Sequence, residues 1–235
     1  MNTNASNQSK SAGLWCTILR VAVIYLVILA LFFGLAGRLD WYAGWALLLA
    51  FIGYVSFLAI WTRRHDPELA AERTSTGEGV KRWDQIIMVI YSVLLLAMLA
   101  VSILDGGRFR WTHLPAWLRA LGWMGIVFSG WMIWRVMKEN TFLSEHVRIQ
   151  SERGHKVITT GPYGVVRHPM YVGIITGLLG VPLVLGSLYG FWIAIPTAAL
   201  FVVRTALEDR TLMEELPGYP EYAQRTRWRL IPFIW

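Results

Sequence analysis

The longest apolar stretch of the chain is MYVGIITGLLGVPLVLGSLYGFWIAIPTAALFVVRTAL, residues 170–207. A helix needs about 20 apolar residues to cross a bilayer, because each residue adds about 1.5 Å. This stretch is therefore long enough for two short or tilted spans. It is interrupted by Pro182, Gly186, Gly190 and Pro196. Since glycine and proline favour turns, we expect the chain to fold back between Gly186 and Gly190 as a helical hairpin.

Four shorter apolar segments precede this stretch, at residues 15–37, 41–62, 84–104 and 116–137. Each is long enough for one span. The first is predicted to be an uncleaved span, because no small-residue cleavage site follows it. Residues 1–14 are polar, small and aperiodic, which predicts a disordered tail. The predicted fold is an all-α polytopic membrane protein with five or six transmembrane segments and a C-terminal cytoplasmic helical segment.

The composition agrees with a membrane protein and argues against a soluble domain. Charged residues make up 16% of the chain and hydrophobic residues 55%, whereas soluble domains average about 25% charged residues. The 13 tryptophans fit an interface at headgroup level, where an indole ring is buried and its N–H stays hydrated. Cys16 is the one cysteine, so an internal disulfide is excluded, and no Cys/His cluster has metal-ligand spacing.

The positive charges lie mostly on one predicted side of the membrane. With the N-terminus inside and six crossings, 18 of the 22 Lys and Arg residues fall inside. This arrangement satisfies the positive-inside rule and predicts cytoplasmic termini. It also accounts for the net charge of +7 without a nucleic-acid partner. The basic residues predicted outside are Arg38, Arg108, Arg110 and Arg119.

Two polar stretches on the predicted inner side can carry chemistry, residues 138–169 and 204–235. The hairpin brings its two ends together, so we expect these stretches to meet at one membrane face. The first contains Arg167 and His168 directly before Pro169. Proline suits the first turn of a helix, so the pair can be a simple basic flank. Cations at a helix N-terminus oppose the helix dipole, however, and a bound anion would explain them better.

Two further patterns allow both a structural and a functional interpretation. Gly173, Gly177 and Gly180 share one helix face, which permits close helix packing or offers a flat wall to a flat ligand. Arg204 and Glu208 have the i, i+4 spacing of a helical ion pair. Ionisable groups at the end of an apolar span are also functional candidates.

Together, these motifs resemble the isoprenylcysteine carboxyl methyltransferase family of membrane enzymes, to which phospholipid methyltransferases look distantly related. The resemblance covers about residues 138–235. It lies in NTFLSEHVRIQSERGHKVITTGPYGVVRHPMYVG, residues 140–173, followed after the hairpin by RTALEDRTLMEELPGYPEYAQRTRWRLIP, residues 204–232. The combination of these motifs is more specific than any one of them. Glu208-Asp209 departs from the paired glutamates usual in the family, so its second side chain is one methylene shorter.

The resemblance implies methyl transfer from S-adenosylmethionine, with residues 15–137 as N-terminal transmembrane helices and residues 138–235 as the methyltransferase core. It assigns catalytic roles to Arg204, Glu208 and His168. Tyr219 matches the family pattern beyond the second half of the site. The cofactor-binding residues carried over by position are Gly161, Pro162, Tyr163, His168, Pro169, Tyr171, Gly173, Glu208, Asp209 and Tyr222.

The methyl acceptor is not fixed by the sequence. The resemblance favours carboxyl methyl esterification of a lipophilic acceptor that enters from the lipid bilayer, at the cytoplasmic side of a bacterial-type inner membrane or the endoplasmic reticulum. A phospholipid amine, a thiol or a small molecule are the alternative acceptors. An amine or thiol must lose a proton, and His168 or Glu208 would be the first candidate bases. A non-catalytic transporter or scaffold is the alternative from another class.

Overall fold

The computed structural model describes residues 22–73 and 79–235, and within these residues it is helical without any strand. The predicted all-α fold is confirmed. The predicted tail at residues 1–14 lies outside the described residues. Short helical turns of other types lie at Leu104–Phe109, Ser151–Arg153 and Gly161–Gly164. The α-helices are α1 (Ala22–Ala36), α2 (Tyr42–His65), α3 (Pro67–Glu72), α4 (Arg82–Ile103), α5 (Ala116–Glu139), α6 (Pro169–Leu185), α7 (Leu188–Glu215) and α8 (Tyr219–Arg225).

Four of the described helices are long and apolar enough to cross a membrane. They are α2, α4 with its extension to Phe109, α5 and α7, while α1 and α6 are shorter apolar helices. Large apolar side chains on their outer faces are exposed, as on α4 at Val89, Val93 and Leu96. A water-soluble protein would bury such a surface, so these faces suit contact with lipid.

The predicted hairpin is present, and its turn is only two residues long. Gly186 ends α6 with a φ of +80°, a backbone conformation that glycine adopts at little cost. Ser187 caps α7, because its hydroxyl accepts a hydrogen bond from the Gly190 amide at 2.9 Å. Pro182 and Pro196 were expected to interrupt the apolar stretch, yet both lie inside continuous helices. Pro182 is fully buried, so tertiary packing offsets the lost helical hydrogen bond.

The core is made by α5 along α6, α6 beside α7, and α7 along α4. Helices α5 and α6 approach closely at Gly122 and Gly180, where an added Cβ at either glycine would lie 2.7–2.8 Å from the other's carbonyl oxygen. Gly177 likewise faces Ser129 of α5. The glycine face of α6 therefore packs against a helix, which is the structural interpretation of its spacing.

The segment from residue 140 to residue 158, here called the strap, crosses the end of the bundle where α4 begins. The Lys81 amide donates to the Val147 carbonyl at 3.3 Å and holds the strap to the start of α4. The fully buried side chain of Gln150 donates to the Phe142 carbonyl at 2.6 Å and closes the strap on itself. The strap forms the roof of the cavity described below.

The C-terminal stretch lies against the start of α6. The Arg167 amide donates to the Trp228 carbonyl at 2.9 Å, and the His168 amide donates to the Arg229 carbonyl at 3.0 Å. The polar stretches on either side of the hairpin are therefore in contact, as the hairpin predicts.

Candidate active site

A cavity of about 880 Å³ lies between the helices and the strap. Its size is within the usual range for small-molecule sites, about 300–1,000 Å³. One part is polar and lies under the strap, where α7 and the start of α6 supply ionisable side chains. The other part runs between the membrane helices and is lined by apolar and aromatic residues, including Phe51, Tyr54, Val55, Leu58, Met88, Tyr91, Ile133, Ile174 and Phe201.

Arg204 of α7 lines the polar part and is only 5% exposed. Its Nε donates to Oδ1 of Asp84 at 2.7 Å, and its Nη2 donates to the Glu145 carbonyl at 2.7 Å. The expected ion pair between Arg204 and Glu208 is not formed within the described residues. A buried guanidinium needs a charged partner, and Asp84 on α4 supplies it in place of the residue one turn away.

Glu208 and Tyr171 face each other across the α6–α7 hairpin. The Tyr171 hydroxyl donates a hydrogen bond to the Glu208 carboxylate. The Arg204 guanidinium lies 5.4 Å from the centre of the Tyr171 ring, within the range of a cation–π contact. The His168 ring stacks on the same tyrosine, with centroids 5.8 Å apart and planes 2° from parallel. These four side chains form the polar wall of the cavity.

Asp209 is the hub of a second polar cluster behind that wall. Its carboxylate is 3% exposed and lies 2.9 Å from Arg167 Nε and 3.2 Å from His168 Nε2. Arg229 Nε donates to it at 2.8 Å, and the Tyr219 hydroxyl donates at 2.9 Å. The anion expected beside the Arg167–His168 pair is thus a side chain of the protein. The hairpin carries Asp209 to this position, which gives the basic pair a carboxylate partner within the fold.

Buried tyrosines of α8 and of the Gly161–Gly164 turn line one end of the polar part. The Tyr222 hydroxyl donates to the Tyr163 carbonyl at 2.7 Å, and Asn140 Nδ2 donates to the Tyr163 hydroxyl at 2.8 Å. Burial raises the pKa of Tyr222 to about 12, and it raises the pKa values of Tyr163 and Tyr219 further. These phenols therefore stay protonated near neutral pH and serve as hydrogen-bonding groups.

The residues predicted for the site occupy two kinds of position. The structure places Gly173 against α5, where an added Cβ would lie 3.2–3.3 Å from Met132 and Ile133. Gly161 has a φ of +58° and lies close to Glu139, and Pro162 follows it in the same short turn. With Asp209, these residues support the cavity wall from behind. Those that line the cavity are Tyr163, His168, Pro169, Tyr171, Arg204, Glu208, Tyr219 and Tyr222.

The contribution of the N-terminal half to the site is not predicted from the sequence motifs. Asp84 and the side chains of α2 shape the site, although they lie outside the matched motifs. A signal was available for Asp84, because it is an ionisable residue within the first turn of a long apolar helix. The cavity-lining side chains of α2 gave no such signal, since their contacts depend on the tertiary fold.

Most cationic groups that line the cavity are paired, including the partly exposed Arg73 with Glu145, whereas two exposed ones have no ion pair among the described residues. Arg148 is held by Glu72, and Arg167 and Arg204 are held by aspartates. Arg63 and Lys156 also line the cavity, but they are exposed and make no ion pair with the residues that the structure describes. We call these two residues the rim.

The groups in the polar part fit the chemistry of S-adenosylmethionine. Glu208 offers a carboxylate to an ammonium or a ribose diol, and Arg204 offers a donor to a carboxylate. The tyrosine faces can cover an adenine ring or a sulfonium. Within residues 22–73 and 79–235, no group of three or more His, Cys, Asp or Glu side chains is arranged to hold a metal ion.

Comparison with known proteins gives curated relatives of modest identity. The cobalt-zinc-cadmium resistance protein CzcN of Cupriavidus metallidurans is 27% identical over 58% of this chain and 60% of its own length. The nickel-cobalt-cadmium resistance protein NccN of Alcaligenes xylosoxydans xylosoxydans is 26% identical over 59% of each protein. The mouse delta(14)-sterol reductase TM7SF2 is 28% identical over 37% of this chain and 22% of its own. The match thus spans about three fifths of the first two relatives.

A solved structure and a family match complete the comparison. The structure of the eukaryotic intramembrane Ras methyltransferase ICMT (isoprenylcysteine carboxyl methyltransferase) aligns with a TM-score of 0.48 and 17% identity, over 92% of this chain and 86% of that one. Residues 118–217 match the phospholipid methyltransferase family. This range contains the Arg167–His168 pair, Tyr171, Arg204 and Glu208, and it supports an integral membrane methyltransferase. The predicted resemblance to membrane methyltransferases is confirmed by this family match, which covers residues 118–217.

Proposed function

We propose that the protein transfers a methyl group from S-adenosylmethionine to a lipophilic acceptor at the cytoplasmic membrane face. One observation carries this proposal. A single cavity joins the polar wall, formed by His168, Tyr171, Arg204 and Glu208, to an apolar passage between membrane helices. A reaction between a polar cofactor and an acceptor with an apolar tail needs both environments in contact.

Methyl transfer requires alignment more than it requires acid or base chemistry. When bound, S-adenosylmethionine supplies a methyl group on a positively charged sulfur. Tyr171 is suited to face that charge, while Glu208 and Arg204 orient the polar ends. The apolar side chains of Leu212 and Leu216 line the cavity and give the polar part an apolar boundary. Holding two reactants in line can contribute roughly 7–11 kcal/mol to the acceleration.

The acceptor we favour bears a carboxylate, in keeping with carboxyl methyl esterification. Arg63 and Lys156 at the rim support an anionic headgroup, and the apolar passage supports a lipid tail. A carboxylate carries no proton to remove, so it needs no general base. A phospholipid amine or a thiol would require one, and Glu208 is suited because it lines the cavity and one of its oxygens is held by Tyr171.

Membranes containing the protein, incubated with methyl-labelled cofactor, test the proposal. We expect label in a lipophilic product, and the fraction that carries it distinguishes ester, phospholipid and thiol products. Glu208→Gln should remove most of the label. Glu214→Gln is the matched control, because Glu214 lies on the same helix and, among the described residues, forms an ion pair only with the exposed Arg210.

Calorimetric titration with S-adenosylhomocysteine separates the enzyme from its non-catalytic alternative. We expect saturable binding by the folded protein in detergent. Folded protein that neither binds this product nor transfers label would contradict the proposal and favour a transporter or scaffold.

A further inference from the structure

Asp84, in the first turn of α4, is fully buried and surrounded by donors. Its Oδ1 accepts from Arg204 Nε at 2.7 Å, and its Oδ2 accepts from the Val147 amide at 3.0 Å. Arg204 Nη2 and His146 Nδ1 lie 3.3 Å and 3.2 Å from the same Oδ2. One carboxylate therefore joins a helix of the N-terminal half to α7 and to the strap.

Arg204 completes this connection from the opposite helix. Its Nη2 also donates to the Glu145 carbonyl, so the strap backbone is held by Asp84 at residue 147 and by Arg204 at residue 145. Nη1 makes no hydrogen bond with any described residue, and Arg204 lines the cavity. The contacts with Asp84 and Glu145 thus fix the plane of the guanidinium and leave Nη1 for a ligand.

We propose that Asp84 is a positioning residue for the methyl transfer, acting through Arg204 and the strap. This inference rests on the proposed function. Asp84 itself does not line the cavity, so it acts by holding the guanidinium over Tyr171 and the strap over the site. A residue that aligns others can affect the rate strongly, because a misplacement of about 1 Å can cost roughly 100-fold.

The geometry requires a carboxylate at residue 84. Both of its oxygens accept hydrogen bonds from opposite sides, one from Arg204 and one from the strap amide. In Asp84→Asn, one oxygen becomes an NH2 group, so either Arg204 Nε or the Val147 amide faces a donor. The buried guanidinium also loses its counter-charge. We expect Arg204 or the strap to shift in consequence.

Asp105 is the matched control, because it is also a fully buried aspartate on the continuation of α4. It accepts hydrogen bonds from Thr112 and Ser187 and lies away from the cavity. Asp105→Asn therefore tests the general effect of losing a buried carboxylate from this helix, without touching Arg204.

The kinetic test measures kcat and KM of detergent-solubilised variants, normalised to folded protein. We expect Asp84→Asn to lower kcat roughly 100-fold, Asp84→Glu to restore part of it, and Asp105→Asn to leave it near the wild-type value. In an Arg204→Gln background, Asp84→Asn should add little further loss, since both act through one group. A near-normal kcat for Asp84→Asn, or full multiplication of the two losses, would overturn the proposal.

Hydrogen exchange of the strap gives a readout independent of turnover. We expect amide exchange in residues 144–148 to accelerate in Asp84→Asn and not in Asp105→Asn. Unchanged exchange in Asp84→Asn would overturn the positioning role. If exchange is faster in Asp84→Asn but the wild-type protein transfers no methyl group, the contact between Asp84 and the strap is supported. The proposed function is then refuted instead.

Discussion

Helix α4 with its extension carries one buried aspartate near each end, and the two aspartates have different hydrogen-bond partners. Asp84 and Asp105 are both fully buried and are 21 residues apart, which is about 31 Å along a helix and close to the thickness of a bilayer core. Asp84 faces a guanidinium and a strap amide. Asp105 accepts from the Thr112 amide and from the hydroxyls of Thr112 and Ser187, and it has no ion pair with any described residue.

The difference teaches what a buried carboxylate does in this molecule. At the Asp105 end, called the far end because it lies away from the cavity, Ser187 caps α7 and also donates a hydrogen bond to Asp105. The aspartate therefore stabilises the hairpin turn. At the Asp84 end, called the near end because it lies beside the cavity, Asp84 forms an ion pair with Arg204, which lines the cavity. Neutral donors accompany a carboxylate that stabilises the fold, whereas a cation accompanies the one beside the site.

Removing the Asp209 carboxylate should have the largest effect on stability, because three basic side chains on the cavity side contact it. Asp209→Ala leaves Arg167, His168 and Arg229 without their carboxylate. Removing one partner from buried ion pairs costs about 3–5 kcal/mol. The free energy of unfolding in detergent, measured by denaturant titration, should fall by this amount. A loss below about 1 kcal/mol would mean that water replaces the carboxylate.

Glu208 should affect turnover rather than stability. We expect Glu208→Gln to lower kcat roughly 100-fold, about 2.7 kcal/mol of barrier, with an unfolding midpoint near the wild-type value. Tyr171→Phe keeps the ring under Arg204 and removes only the hydroxyl bonded to Glu208. It should therefore lose less activity than Glu208→Gln. Equal losses would assign the effect to the hydrogen bond instead of the carboxylate.

Asp105 and Ser187 should show the reverse pattern at the far end. Ser187→Ala removes both the helix cap and a donor to Asp105, so we expect a loss of about 1–3 kcal/mol in the free energy of unfolding. Activity per folded molecule should stay near the wild-type value. A large fall in kcat with normal stability would remove the distinction between the two ends.

Glu72→Gln should have the smallest effect on stability, because Arg148 keeps the carboxylate of Glu152 at 2.7 Å, and this effect should depend on pH. Burial alone would raise the pKa of Glu72, but hydrogen bonds and charge from Arg148 of the strap bring it below the usual value. A carboxyl with a lowered folded-state pKa adds stability above its unfolded pKa of about 4.3, and that stability is lost as the pH falls through the lower folded pKa. The difference in unfolding midpoint between wild type and Glu72→Gln should therefore shrink as the pH is lowered from 7 to 3. A constant difference would mean that the charge of Glu72 is not involved.

The sequence predicted the helical architecture well because apolar length and turn residues are local signals. The hairpin between Gly186 and Gly190 and the packing face of α6 both followed from residue spacing. The partners of the charged groups could not be predicted in this way. Arg204 has Glu208 one turn away on its own helix, yet it pairs with Asp84, 120 positions earlier in the chain. Only the tertiary fold decides which buried cation meets which carboxylate.

The buried, paired cations and the exposed residues of the rim should respond differently to ionic strength. Salt screens exposed charges such as Arg63 and Lys156 over about 8–10 Å, while the buried pairs of Arg204 and Arg167 are screened much less. If the acceptor is the anionic lipid proposed above, added salt should therefore slow its association and leave its dissociation nearly unchanged. In that case the exposed charges and the ionic strength set the association rate, whereas the buried contacts set the residence time.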